Sequence, residues 1–176
     1  MESEAADLPV LAPALTIINQ LESEGIIEKP TIGGSIAVMY YATPMLTDDL
    51  DVFCYLPGQN FIVGVAPVLD RLRELSYETT TLGARIEGIE VQFLRPGSGV
   101  VTEALEHAAS TIIEGVPFHV FEYEYALAVK ADAGRSKDWL HISVALEATE
   151  PDKEKLYAIL SKYDLLVKWK RKLEDE

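Results

Sequence analysis

The chain of 176 residues is 48% hydrophobic and 25% charged, proportions that predict a globular fold and exclude a disordered chain. Its net charge of −14 disfavours a nucleic-acid partner, because an acidic protein and a phosphate backbone repel each other at long range. Cys54 is the single cysteine, so no disulfide can form within the chain, as is typical of a reducing compartment. Residues 1–9 lack the basic segment of a signal peptide. No apolar run approaches the length of about 20 residues that a membrane span requires, so we expect a cytoplasmic protein without a membrane partner.

The first third of the chain predicts alternating helices and strands. Apolar residues recur at helical spacing over residues 8–24, after which a glycine ends the helix. A turn or short strand then leads into a glycine pair, and residues 35–42 predict a short helix that Pro44 closes. Residues 50–57, LDVFCYLP, are mostly apolar strand formers, which is typical of a strand covered on both faces.

The middle of the chain predicts a helix, a strand pair, a second helix and a hairpin. In chain order these elements occupy residues 65–78, 80–88 with 89–96, 101–110, and 111–122. The strand pair turns at Glu87-Gly88 and the hairpin at Glu114-Gly115, since glycine adopts the conformations that such turns need.

The C-terminal part of the chain predicts helices alone. They occupy residues 123–134, 136–149, 151–164 and 165–176, with Ser136 as the N-cap of the second. We therefore expect an α/β (α+β) fold in which residues 1–121 form a small mixed β-sheet flanked by helices. Residues 122–176 form a C-terminal helical annex packed on that core as one compact unit.

Two aspartates stand at the start of the buried strand, in the order Asp49-x-Asp51. Residues two apart on a strand point to the same face, so both carboxylates aim at one point, while Asp48 points the other way. Like charges held close together favour a cation between them, and a hard divalent ion such as Mg²⁺ (or Mn²⁺) prefers oxygen ligands. The alternative is a solvated turn, or an aspartate that caps a helix.

The stretch Gly33-Gly34-Ser35 precedes the short helix at 35–42. Backbone N–H groups at a helix N-terminus bind anions, and glycine lets a phosphate approach closely. The alternative is a tight turn with a serine cap. The spacing of a P-loop is absent, because no lysine follows at the required position.

Together these stretches resemble the polymerase-beta-like nucleotidyltransferase superfamily, in which a glycine turn and a short helix precede D-x-D on a strand. The segments IEVQFLRPGSGVVTEALEHA and VFEYEYALAVKADAGRSKDWLHISVALE resemble small bacterial nucleotidyltransferases related to the abortive-infection toxin group. The resemblance extends over roughly residues 32–172, and its most specific element is A-x-K-x-x-x-G-R-x-K-D.

The resemblance implies a role for each matching residue. Asp49 and Asp51 would be the metal ligands, and the nucleotide would be bound by Gly33, Gly34, Ser35, Lys130, Lys137 and Asp138. The residues themselves also allow simpler roles. Lys130 lies in an otherwise apolar helix and could extend to solvent. Asp138 is favourable near a helix N-terminus through the helix dipole alone, and His141, one turn further on, could hydrogen-bond to it.

Two positions depart from the superfamily pattern. Met45 stands where many members carry an arginine, which removes a phosphate contact. The third carboxylate, the general base, is often found where this chain has Gln92, and an amide cannot take up a proton. Glu90 lies on the same strand face and would serve if the register shifts by two residues. Its alternative is an exposed strand residue.

The sequence therefore predicts Mg²⁺-dependent transfer of a nucleotide from an NTP to a hydroxyl acceptor, with Asp49, Asp51 and Glu90 as catalytic residues. A small-molecule or protein acceptor is favoured over RNA because of the acidic charge. The alternative is a catalytically degenerate nucleotide-binding or protein-interaction module of the same fold, part of a toxin–antitoxin-like system. The sequence leaves open a protein partner or a homo-oligomer.

Overall fold

The fold is organised around a mixed β-sheet. A computed structural model describes residues 10–45, 49–57 and 64–174, and the described residues form seven strands in one sheet. The strands are β1 (Glu28–Ile32), β2 (Asp49–Tyr55), β3 (Glu78–Thr79), β4 (Gly83–Ile86), β5 (Ile89–Leu94), β6 (Ala109–Ile113) and β7 (Val116–Val120). Their order across the sheet is β3-β4-β5-β2-β1-β7-β6.

The central strand β2 determines where the site lies. It runs parallel to β5 and antiparallel to β1, and β1 runs parallel to β7. Leu50, Val52 and Cys54 on β2 are at most 1% exposed, as the apolar run in the sequence predicts. Burial also raises the pKa of the Cys54 thiol to about 12, so this cysteine is a packing residue and not a reactive thiol.

The described residues also form eight helices, four of them C-terminal to the sheet. They are α1 (Ala12–Ser23), α2 (Gly34–Tyr41), α3 (Ala66–Glu74), α4 (Gly99–Glu106), α5 (Tyr123–Ala133), α6 (Ser136–Ala148), α7 (Lys153–Lys162) and α8 (Leu166–Leu173). Helix α5 is buried along most of its length and packs against α2, α4, α6 and α7, as expected for a helix that is apolar on nearly all sides. Within the described residues no helix has the length and apolar character needed to cross a bilayer.

Most predicted elements are confirmed, but several boundaries are wrong. Helix α4 ends at Glu106 and not at residue 110, because Ala109 and Ser110 pair with β7 as part of β6. Helix α3 ends at Glu74 and not at residue 78, because Ser76 adopts a left-handed backbone (φ +69°) that reverses the chain and lets Glu78 pair in β3. Helix α6 has Arg135 rather than Ser136 as its N-cap residue. The Asp138 carboxylate, three residues further on, accepts from the Arg135 backbone N–H at 3.1 Å.

Candidate functional site

The two strand aspartates open into one cleft. Asp49 is exposed and Asp51 is partly buried at the start of β2, and both line a cleft of about 540 Å³. Burial, and next the charge of Asp49, raise the pKa of the Asp51 carboxyl above its ordinary value. A bound cation would relieve both effects, since an opposite charge favours the ionised carboxylate. Asp48 lies outside the described residues.

The glycine turn is joined directly to Asp51. The Gly33 N–H donates to the Asp51 carbonyl at 3.0 Å, and Gly34 begins α2 with φ +57°. A Cβ atom on Gly34 would lie 2.2 Å from Asp51 Oδ2, so only glycine allows this approach. No side chain of the described residues caps the N-terminus of α2, which leaves its first N–H groups for an anion.

Lys130 reaches the same cleft from α5. Its side chain is 6% exposed, so it does not extend to solvent. The Nζ atom donates to Ser35 Oγ at 3.1 Å and to Asp138 Oδ1 at 3.2 Å. Burial lowers the pKa of this ammonium even though Asp138 opposes the shift. Lys130 therefore places a buried positive charge in the wall of the cleft, on the helix next to the glycine turn.

Asp138 is held by two cations. Its carboxylate accepts from Lys130 and, at 2.7 Å, from the Arg135 guanidinium. Burial alone would raise the pKa of Asp138, but the hydrogen bond from Arg135 and the charge of Lys130 bring it below its ordinary value. Arg135 also lines the cleft, and its side chain is 75% exposed. Arg135 was not among the site residues predicted from the sequence, although the spacing of three between Arg135 and Asp138 places them on one helix face.

His141 has a different partner from the expected one. It is 6% exposed on α6, and its Nδ1 atom lies 3.0 Å from Ser35 Oγ rather than being bonded to Asp138. Burial, and next the charge of Lys130, lower the pKa of His141. No local sequence pattern could reveal this contact, because the two residues are 106 positions apart.

The neighbouring strand β5 places an amide beside the aspartates. In the parallel pairing of β2 with β5, Asp51 is in register with Gln92 and Asp49 with Glu90. Residues in register on adjacent strands point to the same side of the sheet, and Gln92 lines the cleft. Glu90 accepts from Arg85 Nη1 at 3.3 Å, and its side chain is 39% exposed.

The carboxylate pair suits a divalent cation whose other ligands are phosphate oxygens and water. Among residues 10–45, 49–57 and 64–174 no group of three or more His, Cys, Asp or Glu side chains could hold a metal ion by itself. Mg²⁺, however, is commonly held by one or two carboxylates together with substrate phosphate oxygens and water. Asp49 and Asp51 provide that donor set.

One cleft thus collects residues that are distant in the chain. It is lined by the proposed site residues Gly34, Ser35, Asp49, Asp51, Lys130, Lys137 and Asp138. Gly33 is buried behind it, against the ring of Phe53. Asp49 and Asp51 lie on the strand side, while the cations Lys130, Arg135 and Lys137 lie on the side of the helices together with Asp132 and Asp138. With a cation held at the strand aspartates, this arrangement would suit a metal-bound polyphosphate.

Comparison with known proteins supports the same fold. No curated protein is significantly similar in sequence. An antigenic nucleotidyltransferase-like protein from Paracoccidioides brasiliensis is similar in structure, with a TM-score of 0.53, 13% identity and coverage of 93% of this chain and 89% of its own. ANT(2'')-Ia, solved in complex with adenylyl-2''-tobramycin, is also similar, with a TM-score of 0.50, 15% identity and coverage of 86% and 97%. Residues 12–164 match the family model described as "Nucleotidyl transferase of unknown function (DUF2204)", and the chain belongs to this nucleotidyltransferase family.

Proposed function

We propose that the protein transfers a nucleoside monophosphate from an NTP to a hydroxyl acceptor, with Mg²⁺ (or Mn²⁺) as cofactor. The observation that carries the proposal is the convergence of two carboxylates, a glycine turn and a buried lysine in one cleft. Family membership supports the same chemistry.

We assign some residues of the cleft to the metal ion and others to the phosphates. Asp49 and Asp51 would hold the cation, which when bound neutralises charge that develops on the transferred phosphoryl group. Lys130 offers its charge to the triphosphate, and the N–H groups at the start of α2 donate to phosphate oxygens. Lys137, exposed at the cleft, adds a second cation, and Asp138 keeps Lys130 in place.

The transfer forms one bond and breaks one. The acceptor oxygen bonds to the α-phosphorus while the bond from that phosphorus to the bridging oxygen breaks, and pyrophosphate leaves. The hydroxyl proton must pass to a base, and we assign that role to Glu90. Its position in register with Asp49 on the adjacent strand supports this assignment, although Gln92 and not Glu90 lines the cleft.

A small molecule or a protein is the proposed acceptor, in a cytoplasmic setting. The net charge of −14 opposes long-range attraction of RNA. The tobramycin adduct bound to ANT(2'')-Ia is an example of a small-molecule product on this fold.

A second candidate is a nucleotide-binding module that has lost catalysis. Gln92 favours it, because this amide occupies the register position beside Asp51 and cannot act as a base. Both candidates predict nucleotide binding, and they differ in whether a phosphoryl bond is broken.

Thermal melting with Mg²⁺ and each of ATP, GTP, CTP and UTP tests the binding step. We expect at least one NTP to raise the melting temperature of the native protein, since a ligand that binds only the folded state stabilises it. The double variant Asp49→Ala/Asp51→Ala should lose the shift. The control Asp70→Ala/Glu74→Ala removes two exposed carboxylates of α3 and should keep it. The absence of a shift with every NTP would refute both candidates.

Transfer of label from α-³²P-NTP distinguishes the proposed nucleotidyltransferase from the nucleotide-binding module that has lost catalysis. Incubation with candidate hydroxyl acceptors should give a labelled product and pyrophosphate. The variant Glu90→Gln should reduce the rate by about a hundredfold or more, the usual contribution of a general base, while the melting shift remains. Binding without any labelled product would favour the degenerate module.

A further inference from the structure

A buried line of hydrogen bonds runs behind the phosphate side of the cleft. It starts at His141 on α6, passes through Ser35 on α2, continues to Lys130 on α5 and ends at Asp138 on α6. The three links measure 3.0, 3.1 and 3.2 Å. All four residues are at most 8% exposed, and hydrogen bonds between buried groups are stronger than those between exposed ones.

The chemistry of the donors sets the direction of each proton. A lysine ammonium has donors and no acceptor, so Ser35 Oγ must accept from Lys130. The single hydroxyl proton of Ser35 can then be donated to His141 Nδ1, which lies 3.0 Å away. That nitrogen can accept only when the imidazole is neutral and carries its proton on Nε2.

The surroundings of His141 keep the ring neutral. Burial, and next the charges of Lys130 from α5 and Lys137 from α6, lower the pKa of the ring; Arg135 adds to this effect and Asp138 opposes it. Ser35 from α2 contributes only its hydroxyl. The neutral imidazole is therefore the form present at neutral pH, and Nδ1 is its acceptor nitrogen when the proton is on Nε2.

We propose that His141 is a positioning residue of the triphosphate site. It holds the Ser35 hydroxyl turned toward the ring, so that the Ser35 oxygen fixes the Lys130 ammonium at the cleft. In this arrangement the backbone N–H of Ser35, at the start of α2, donates to a bound phosphate. The Ser35 side chain orients Lys130 rather than binding the phosphate. This inference rests on the proposed function, since it assigns a role within the same site.

Nucleotide affinity in matched variants tests the role. The probe is the Mg²⁺ complex of whichever of ATP, GTP, CTP and UTP binds most tightly, measured by calorimetry where each variant is folded. We expect His141→Leu to weaken binding about tenfold or more, the effect of one hydrogen bond in a charged network. His141→Asn should restore most of the affinity, because its amide oxygen can accept near the position of Nδ1. His119→Asn, on β7, is the matched histidine control and should bind normally.

A double-mutant cycle with Ser35→Ala tests whether His141 acts through Ser35. If it does, Ser35→Ala/His141→Leu should bind no more weakly than the worse single variant, because both changes break the same line of bonds. Additive losses, or native affinity in His141→Leu, would overturn the positioning role. The absence of NTP binding by the native protein would instead overturn the proposed function.

The tautomer offers a readout that needs no variant and no nucleotide. At about pH 7.5 the ¹⁵N NMR signals of His141 should show a proton on Nε2 and an unprotonated Nδ1. The opposite tautomer or an imidazolium would overturn the inference.

Stability should also fall as the pH drops below the ordinary histidine pKa of 6.5, because the unfolded chain then binds a proton that the folded chain excludes. His141→Asn should reduce this loss, and an unchanged loss in that variant would contradict the inference.

Discussion

Gly34 is constrained both by its own backbone and by its neighbour. Its φ of +57° and the 2.2 Å approach of a Cβ to Asp51 Oδ2 make Gly34→Ala doubly unfavourable. Gly25 provides the control, since it has φ +74° with nothing within 4 Å of a Cβ. Gly25→Ala should cost about 1–2 kcal/mol from the left-handed backbone alone.

Gly34→Ala should therefore cost about 1–3 kcal/mol more than Gly25→Ala, the usual penalty of overpacking. It should also abolish the melting shift with Mg²⁺ and NTP, because the carboxylate of Asp51 must move. Urea denaturation of the two variants measures the difference. Equal losses of stability would show that the turn can relax around the added methyl group.

Asp138 compensates the buried charge of Lys130. Asp138→Asn should lower the free energy of unfolding by about 3 kcal/mol, because an uncompensated ammonium would stay buried. Asp132→Asn, an exposed residue of the same cleft, should change stability by less than about 0.5 kcal/mol. Urea denaturation of both variants checks the contrast, and similar losses would contradict it.

The pH dependence of the Asp138 contribution has a definite sign. The folded-state pKa lies below the ordinary value of 3.8, so the unfolded chain takes up the proton first. The stabilisation is complete above about pH 3.8 and is lost as the pH falls through the lower folded value. The stability difference between the native protein and Asp138→Asn should therefore shrink in that acidic range.

Helix α1 depends on a cap from another element. Its N-cap residue Leu11 has no local side-chain cap, but Glu114, from the turn between β6 and β7, accepts the N–H groups of Leu11 and Ala12 at 2.6 and 3.0 Å. Glu114→Ala should destabilise the protein by about 1 kcal/mol.

Glu87→Ala is the matched control for this cap. Glu87 occupies the same turn position between β4 and β5, with the same φ of +50° as Glu114, so both variants share the backbone effect. Its carboxylate accepts from the Tyr77 hydroxyl at the surface and not from a helix end. Thermal denaturation should show the larger loss for Glu114→Ala, and equal losses would argue against the cap.

Helices, strands and turns were predicted correctly where a single local sequence pattern was strong. The two Glu-Gly turns, the apolar strand β2 and the end of α5 at Gly134 were all correct, because each depends on local backbone preference. The strand β3 was missed. It is two residues long and forms because Glu78 and Thr79 pair with β4. No sequence pattern within so short a segment could predict this pairing.

At the scale of the whole molecule, charge is distributed unevenly. The chain carries −14 overall, yet Lys130, Arg135 and Lys137 line one wall of the cleft. The same cleft also contains the carboxylates Asp49, Asp51, Asp132 and Asp138. Under the proposed function, the charge of a bound metal ion would therefore be needed to attract a triphosphate there. The cleft draws on both predicted parts of the chain, residues 1–121 and 122–176. That division, the oligomeric state and the relation to the abortive-infection toxin group stay predictions.

The sequence by itself determined that Asp49 and Asp51 share a face and that a glycine turn precedes a helix, because strand periodicity and glycine conformation are local properties. Its resemblance to nucleotidyltransferases is confirmed by the family match. Only the tertiary structure decided which residues meet across the cleft. Strand order places Gln92 beside Asp51, and the packing of α5 and α6 on α2 joins Ser35 to Lys130 and His141, 95 and 106 positions away. Such contacts follow from the burial of whole elements against one another, which no short stretch of sequence encodes.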